Sequence, residues 1–327
     1  MSSRPMLSAP SSGRQYAESI AAVTLPERVL DVVEAYEAAG GERDRFVWKW
    51  IYRLLPSFTL SSVPQRHASE VRTRKTIFTV FITFLDDLAE CNEDSRAFEQ
   101  IYRSIVWADE STAEPCRDAD AEAVAFARQL WNEFEGMIAE APRFEEFEDV
   151  FRYDLRQSLN AMDYSRILND NVSMANLNGA QHYDSHNMVM FPYADLDLMY
   201  SPSFESADLG VVREQLWDLQ KMARIGNWLT TWEREINEGD YTAGIVVYAL
   251  QNDLITLEEL EAAGGDDASV TDRIRAYRIE ERFLSEWERL RRHVENRDLE
   301  AESVDLGALV NGMETVMNHH MASEGYK

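Results

Sequence analysis

Apolar residues recur along this chain three and four positions apart, the spacing of one helix face, rather than every second position as in a strand. That pattern predicts helices near Tyr16–Ala39, Arg43–Leu54, Ala68–Cys91, Ser95–Ala108, Ala121–Ala139, Phe144–Leu168, Asn176–Met190, Ala207–Asn237, Ala243–Gln251, Ser269–Asn296 and Ala301–Ser323. The pattern lapses at turn chemistry: AAGGERD at 38–44, Tyr-Ser-Pro-Ser-Phe at 200–204, and Gly-Gly-Asp-Asp at 264–267. There is no alternating strand pattern between hairpin signals and no internal repeat. The expectation is an all-α fold, a single helical domain over 16–323 behind a disordered Ser/Pro/Arg-rich leader at 1–15.

Several helices are apolar on most faces, which marks them for the centre of the bundle. Val71–Leu88 is the clearest, and it runs straight into Asp86, Asp87 and Glu90. Spacings of three and four crowd these carboxylates on one side of the helix, where like charges repel by a few tenths of a kcal/mol per pair. One reading is that the helix simply emerges into water there. The other is that a hard, oxygen-seeking cation such as Mg²⁺ offsets the repulsion.

A second polar stripe lies on a helix otherwise rich in Trp and aliphatic residues. Asn227, Thr231 and Glu235 recur every four residues, putting an amide oxygen, a hydroxyl and a carboxylate on one face over about 12 Å. Asn and Thr within a helix also hydrogen-bond back to the preceding turn, so the stripe alone does not require a metal.

Charge narrows the partners. The 327 residues carry 59 Asp plus Glu against 32 Lys plus Arg, a formal net charge of −27. Such a field disfavours nucleic acid and anionic membranes, whose binding needs clustered cations. A small anion stays admissible if bound metal reverses the local sign. Two cysteines, Cys91 and Cys116, are too few for a disulfide framework and suggest a reducing cytoplasm. No apolar run approaches the roughly 20 residues of a membrane span. His182, Asp184 and His186 offer a transition-metal alternative without an evident further strong ligand, and His319 and His320 read as surface residues.

Together, Asp86-Asp87-Leu88-Ala89-Glu90 and Asn227, Thr231, Arg234, Glu235, in this order and 141 residues apart, resemble the motifs of the class I terpene synthases. The resemblance implies a helical bundle around a central apolar cavity. It implies three Mg²⁺ ions held by Asp86, Glu90, Asn227, Thr231 and Glu235, with Asp87 orienting its neighbours or an Arg, and an isoprenoid diphosphate whose allylic C–O bond ionises. Arg234 and Arg224 would meet the diphosphate, while Ile82, Thr83 and Trp228 would line the hydrocarbon cavity. Phe78, Phe191, Tyr193 and Trp232 are further aromatic candidates for stabilising a cation.

This chain departs from the pattern at Trp228, where the family often has Asp, and in lacking the Arg-Tyr pair frequent near the C-terminus of bacterial members. It has no Lys or Arg between Ile167 and Val212, where the family carries a diphosphate-sensing Arg. Gln181, His182 or His186 would take that place, or Arg156, Arg166 or Arg224 from elsewhere. The favoured activity is cyclisation of C20 geranylgeranyl diphosphate. The alternatives are a sesquiterpene cyclase using C15 farnesyl diphosphate, a prenyl chain-elongating synthase, and a non-catalytic helical binding module. Homodimerisation is left open.

Overall fold

The computed structural model describes residues 13–90, 95–107, 120–263 and 268–323. Its helices are α1 (Gly13–Ala21), α2 (Glu27–Ala38), α3 (Arg45–Leu54), α4 (Gln65–Glu90), α5 (Ser95–Trp107), α6 (Ala121–Ile138), α7 (Phe144–Asp170), α8 (Leu177–His182), α9 (Met190–Met199), α10 (Leu209–Asn237), α11 (Gly244–Gln251), α12 (Leu257–Ala263), α13 (Ala268–Ala276), α14 (Ile279–Glu295) and α15 (Leu306–Ala322). The described residues include no strand, in line with the all-α reading. No helix among them is long and apolar enough to cross a membrane. The expected leader falls outside the described residues except for 13–15, which open α1.

α4 is the axis of the molecule. Every residue from Arg74 to Ile82 is buried, and the helix packs against α2, α3, α5, α6, α7 and α9. Phe78 stacks on Phe134 of α6 with centroids 5.2 Å apart, and Phe81 lies 5.3 Å from Trp131 of the same helix. Each such fully buried aromatic contributes roughly 1.5–3 kcal/mol by removing apolar surface from water. α10, the other long helix at the centre, packs on α9, α11, α14 and α15.

The structure divides three helices that periodicity joined. Pro26 ends the first between α1 and α2. Arg278, at φ 54°, separates α13 from α14. The span Asn176–Met190 becomes α8, a 3₁₀ turn at Asp184–Met188, and the start of α9. Pro192 accounts for the last break, because its ring would clash with the carbonyl of Met188 in a continuous helix. Val189 takes up the reversal at φ 47°, a left-handed conformation that costs a β-branched residue about 1–3 kcal/mol.

Candidate active site

A cavity of about 250 Å³ opens among α3, α4, α9, α10 and α15. Asp44 caps α3 by accepting from the Phe46 N–H, and this start directs Val47, Trp50, Ile51 and Leu54 into the cavity as one helical stripe. On α4 the facing stripe is Thr79, Ile82, Thr83 and Asp86. α15 contributes Met313, Val316 and His320. It reaches the cavity because Gly312 lets it ride directly on the 3₁₀ turn at Leu55–Phe58; a Cβ there would stand 1.7 Å from the Ser57 carbonyl oxygen.

Three polar contacts tie α4 to the antiparallel segment that holds α9. Lys75 meets Asp197 at 2.6 Å, the Thr79 and Tyr193 hydroxyls meet at 2.6 Å, and the Asn187 amide donates to Asp86 Oδ1 at 2.9 Å. Numbers rise on one strand of this ladder as they fall on the other. The first two rungs are fully within the core, whereas Asp86 and Asn187 are part-exposed at the mouth. Seven residues at 1.5 Å each set Thr79 about 10 Å deeper than Asp86 along α4.

Around the mouth, α10 supplies Ala223, Arg224, Asn227, Thr231, Arg234 and Glu235. Arg224 is its hub. Nε and Nη2 bind the two oxygens of Asp184 at 2.7 Å each, and Nη1 donates to Asn227 Oδ1 at 2.7 Å. Asp184 is fully buried and also accepts from Ser165. The Thr231 hydroxyl donates back to the Asn227 carbonyl at 2.9 Å, as a helical Thr does. Glu235 is buried, yet its Oε2 has no hydrogen-bond partner. Burial, with Asp240 adding to it, pushes the Glu235 carboxyl up to about 7 against the opposing pull of Arg224. Burial likewise lifts Asp86 to about 6, opposed by the Asn187 hydrogen bond.

Asp86, Asn227, Thr231, Glu235, Arg224, Arg234, Ile82 and Thr83 thus line one cavity. Asp87 does not; Arg43 binds its Oδ1 through Nε and Nη2 at 2.9 and 2.6 Å, and Tyr36 donates to its Oδ2 at 2.8 Å. The Glu90 side chain lies outside the described residues. Gln181 and Trp228 line a smaller pocket behind Arg224, with Gln181 donating to Glu286 of α14 and Trp228 edge-on to Phe283. Of the aromatic candidates, Tyr193 reaches the cavity wall.

His182 is exposed and its Nδ1 donates to the Asn178 carbonyl, while His186 packs edge-on against Trp217. Among the described residues no three His, Cys, Asp or Glu side chains converge as a metal-binding group. His320 corrects an expectation: it is 7% exposed and lines the cavity, with the Trp50 ring of α3 edge-on across it at 5.0 Å.

Arg43 went unnoticed in sequence, its one sign being a lone cation between a Gly-Gly break and a helix cap. With it, three arginines line the wall, each paired with a carboxylate, Asp87, Asp184 or Glu238, beside Asp86 and Glu235. The other new residue, Asn187, carried no helix-face signal, and Asp184, expected beside His182 and His186 as part of a metal alternative, instead holds Arg224.

No protein-family model and no curated protein sequence matches the chain. Among solved structures, abietadiene synthase from Abies grandis superposes with a TM-score of 0.59 at 15% identity, over 95% of this chain and 37% of that one. The chain therefore spans little more than a third of that protein's length. At this identity the likeness is one of architecture: the chain has the all-α fold found in that terpene synthase.

Proposed function

We propose that the protein is a divalent-metal-dependent class I terpene cyclase, which ionises an isoprenoid diphosphate and closes the resulting carbocation into a terpene hydrocarbon or alcohol. The observation that carries this reading is the buried, unsatisfied Oε2 of Glu235, on the wall of the cavity that also holds Asp86, Asn227 and Thr231. A buried carboxylate oxygen without a donor is costly unless a cation approaches it. The donor set there is carboxylate, amide and hydroxyl oxygen, the chemistry that Mg²⁺ selects.

Asp86 on one side, and Asn227, Thr231 and Glu235 on the other, would hold the metal, three Mg²⁺ ions on the family pattern. Bound there, the cations would neutralise the diphosphate and make it a better leaving group. Arg224, fixed by Asp184, keeps its guanidinium protonated and aimed past Asn227. Arg234 and Arg43 stand at the rim, each tied to a carboxylate, Glu238 and Asp87, that fixes its position. These three cations orient the diphosphate at the mouth. The apolar walls below exclude water, which would otherwise quench a carbocation early.

The C20 geranylgeranyl diphosphate is the favoured substrate and the C15 farnesyl diphosphate the alternative, and product analysis decides between them. A chain-elongating synthase would need a second aspartate-rich motif where the cavity presents Asn227 and Thr231. The test is incubation with C10, C15 and C20 allylic diphosphates and Mg²⁺, measuring released diphosphate and analysing the organic extract by gas chromatography and mass spectrometry. Cyclic product with stoichiometric diphosphate, lost on chelation, supports the cyclase. A longer prenyl diphosphate as product identifies an elongating enzyme. Absence of both turnover and Mg²⁺-dependent stabilisation by a diphosphate analogue identifies a binding module.

A further inference from the structure

The buried charges around α9 are matched in pairs, with one carboxylate left over. α9 packs on α4, α7 and α10 and carries Asp195 and Asp197, 1% and 0% exposed. Asp197 has its own cation, Lys75 of α4, at 2.6 Å, and also accepts from the Leu60 N–H. Arg213 of α10 gives both of its terminal nitrogens to Asp154 of α7, at 2.5 and 2.9 Å, and stands 3.9 Å from Asp195 Oδ1. Burial lowers the His186 imidazole on the adjoining 3₁₀ turn, so at neutral pH it adds no further cation. Three carboxylates therefore meet two cations, and Asp195 is the one without.

Asp195 Oδ2 is buried with no hydrogen-bond partner among the described residues. The Asp154 carboxyl, itself 2% exposed, faces this side chain. Ionised carboxylates have acceptor oxygens alone, so two of them bond when one carries a proton. With both ionised, like charges would stand together away from water, an arrangement that favours the neutral form of one. Burial, and then the Asp154 charge, accordingly hold the Asp195 carboxyl well above the usual carboxylate range.

We propose that Asp195 and Asp154 share one proton, donated by Asp195 to Asp154, which fastens α9 to α7 and makes the α9 side of the cavity wall sensitive to pH. The proposal goes beyond the cyclase reading and does not depend on it. Neither carboxyl lines the cavity, but Met190 and Tyr193 of the same helix do. While the proton is held, the bond is of the stronger, charge-assisted kind. An opening of α9 that brings Asp195 into water releases the proton. Between the unfolded carboxylate range and the higher folded value, each rise of one pH unit favours that opening by up to about tenfold. Above the folded value the O–H bond breaks in place, the proton passes to water, and two carboxylates are left with one guanidinium between them.

The experiment uses the full chain without added metal or substrate, comparing wild type with Asp195→Asn and Asp154→Asn from pH 5 to pH 8. Infrared spectroscopy reads the carbonyl stretch of a protonated carboxyl, hydrogen exchange with mass spectrometry reads protection along α9, and thermal melts check folding. Wild type is expected to show a protonated-carboxyl band that Asp195→Asn lacks. Asp154→Asn is expected to lack it too, because Arg213 is then left to Asp195, which ionises. In Asp195→Asn an amide proton takes the place of the acid proton at every pH. Relative to that variant, wild-type α9 is expected to lose up to about tenfold in protection per pH unit until the band disappears. An Asp195→Asn spectrum that keeps the whole wild-type band overturns the proposal, since the proton then sits elsewhere. A band that survives in folded Asp154→Asn shows that burial alone holds the proton and overturns the sharing. Protection along α9 that changes with pH alike in wild type and Asp195→Asn overturns the sensitivity of the wall. Asp195→Asn is isosteric and decides the first and last of these even if Asp154→Asn does not fold. No readout requires turnover, so each outcome leaves the cyclase reading where it was.

Discussion

Asp184 and Asn187 stand three residues apart on one 3₁₀ turn, yet they grip two different helices: Asp184 binds Arg224 of α10 at 2.7 Å, and Asn187 donates to Asp86 of α4 at 2.9 Å. One short turn therefore sets the relation between the two acidic motifs. Removing one partner of a buried ion pair strands the other, at a cost of about 3–5 kcal/mol. Asp184→Ala is expected to lose stability of that order in urea titration. Asn187→Ala, which removes one hydrogen bond to a charged group, is expected to lose about 1.5–3 kcal/mol.

Asp86→Asn and Asn227→Ala are each expected to abolish turnover while far-UV circular dichroism stays that of the wild type, since both side chains are part-exposed at the cavity mouth. Full activity in either variant would remove that side chain from the metal site.

Asp195 is buried on α9, 3.9 Å from Arg213, and faces Asp154; burial, and then the Asp154 charge, push its carboxyl well above the usual carboxylate range. The folded chain thus keeps a proton that the unfolded chain releases above about pH 4. This group's contribution is most favourable below the unfolded value and falls as pH rises towards the folded one. Asp195→Asn imitates the protonated form. It is expected to match or exceed wild-type stability at pH 7 and to lose that advantage at pH 4, as measured by denaturant titration at both.

Lys75 and Asp197 are both fully buried, and Asp197 accepts in addition from the Leu60 N–H at 2.9 Å. Lys75→Met leaves a buried carboxylate without its counter-ion and is expected to cost about 3–5 kcal/mol. Lys75→Met combined with Asp197→Leu is expected to recover most of the loss, because the pair's desolvation disappears with it. Denaturant titration of the single and double variants measures both.

Much of this was legible in the residue order. The buried α4 and the stripe on α10 follow from periodicity, which is local. What escaped was fixed by contacts distant in sequence. Arg43 finds Asp87 44 residues on, and Asn187 finds Asp86 101 residues back. Gln181 seemed placed to meet diphosphate, but α14 draws it to Glu286. Trp228, one residue past Asn227, is turned about 100° around α10 and packs on Phe283 instead. His320 looked like a surface residue because nothing local shows that Trp50 of α3 will lie across it. The separate start of α9 was within reach, since Pro192 is tolerated in the first turn of a helix and not in its interior.

The Lys75–Asp197 pair has one more consequence. A helix apolar around most of its girth fits its socket nearly as well after a small rotation, since oil against oil has little preference of direction. For α4 such a rotation by one residue would turn Asp86 about 100° away from the cavity. Burying one cation in front of one anion removes that freedom, because any other setting strands two charges in the core. The pair works as a locating pin: 11 residues before Asp86, it decides which way that carboxylate looks.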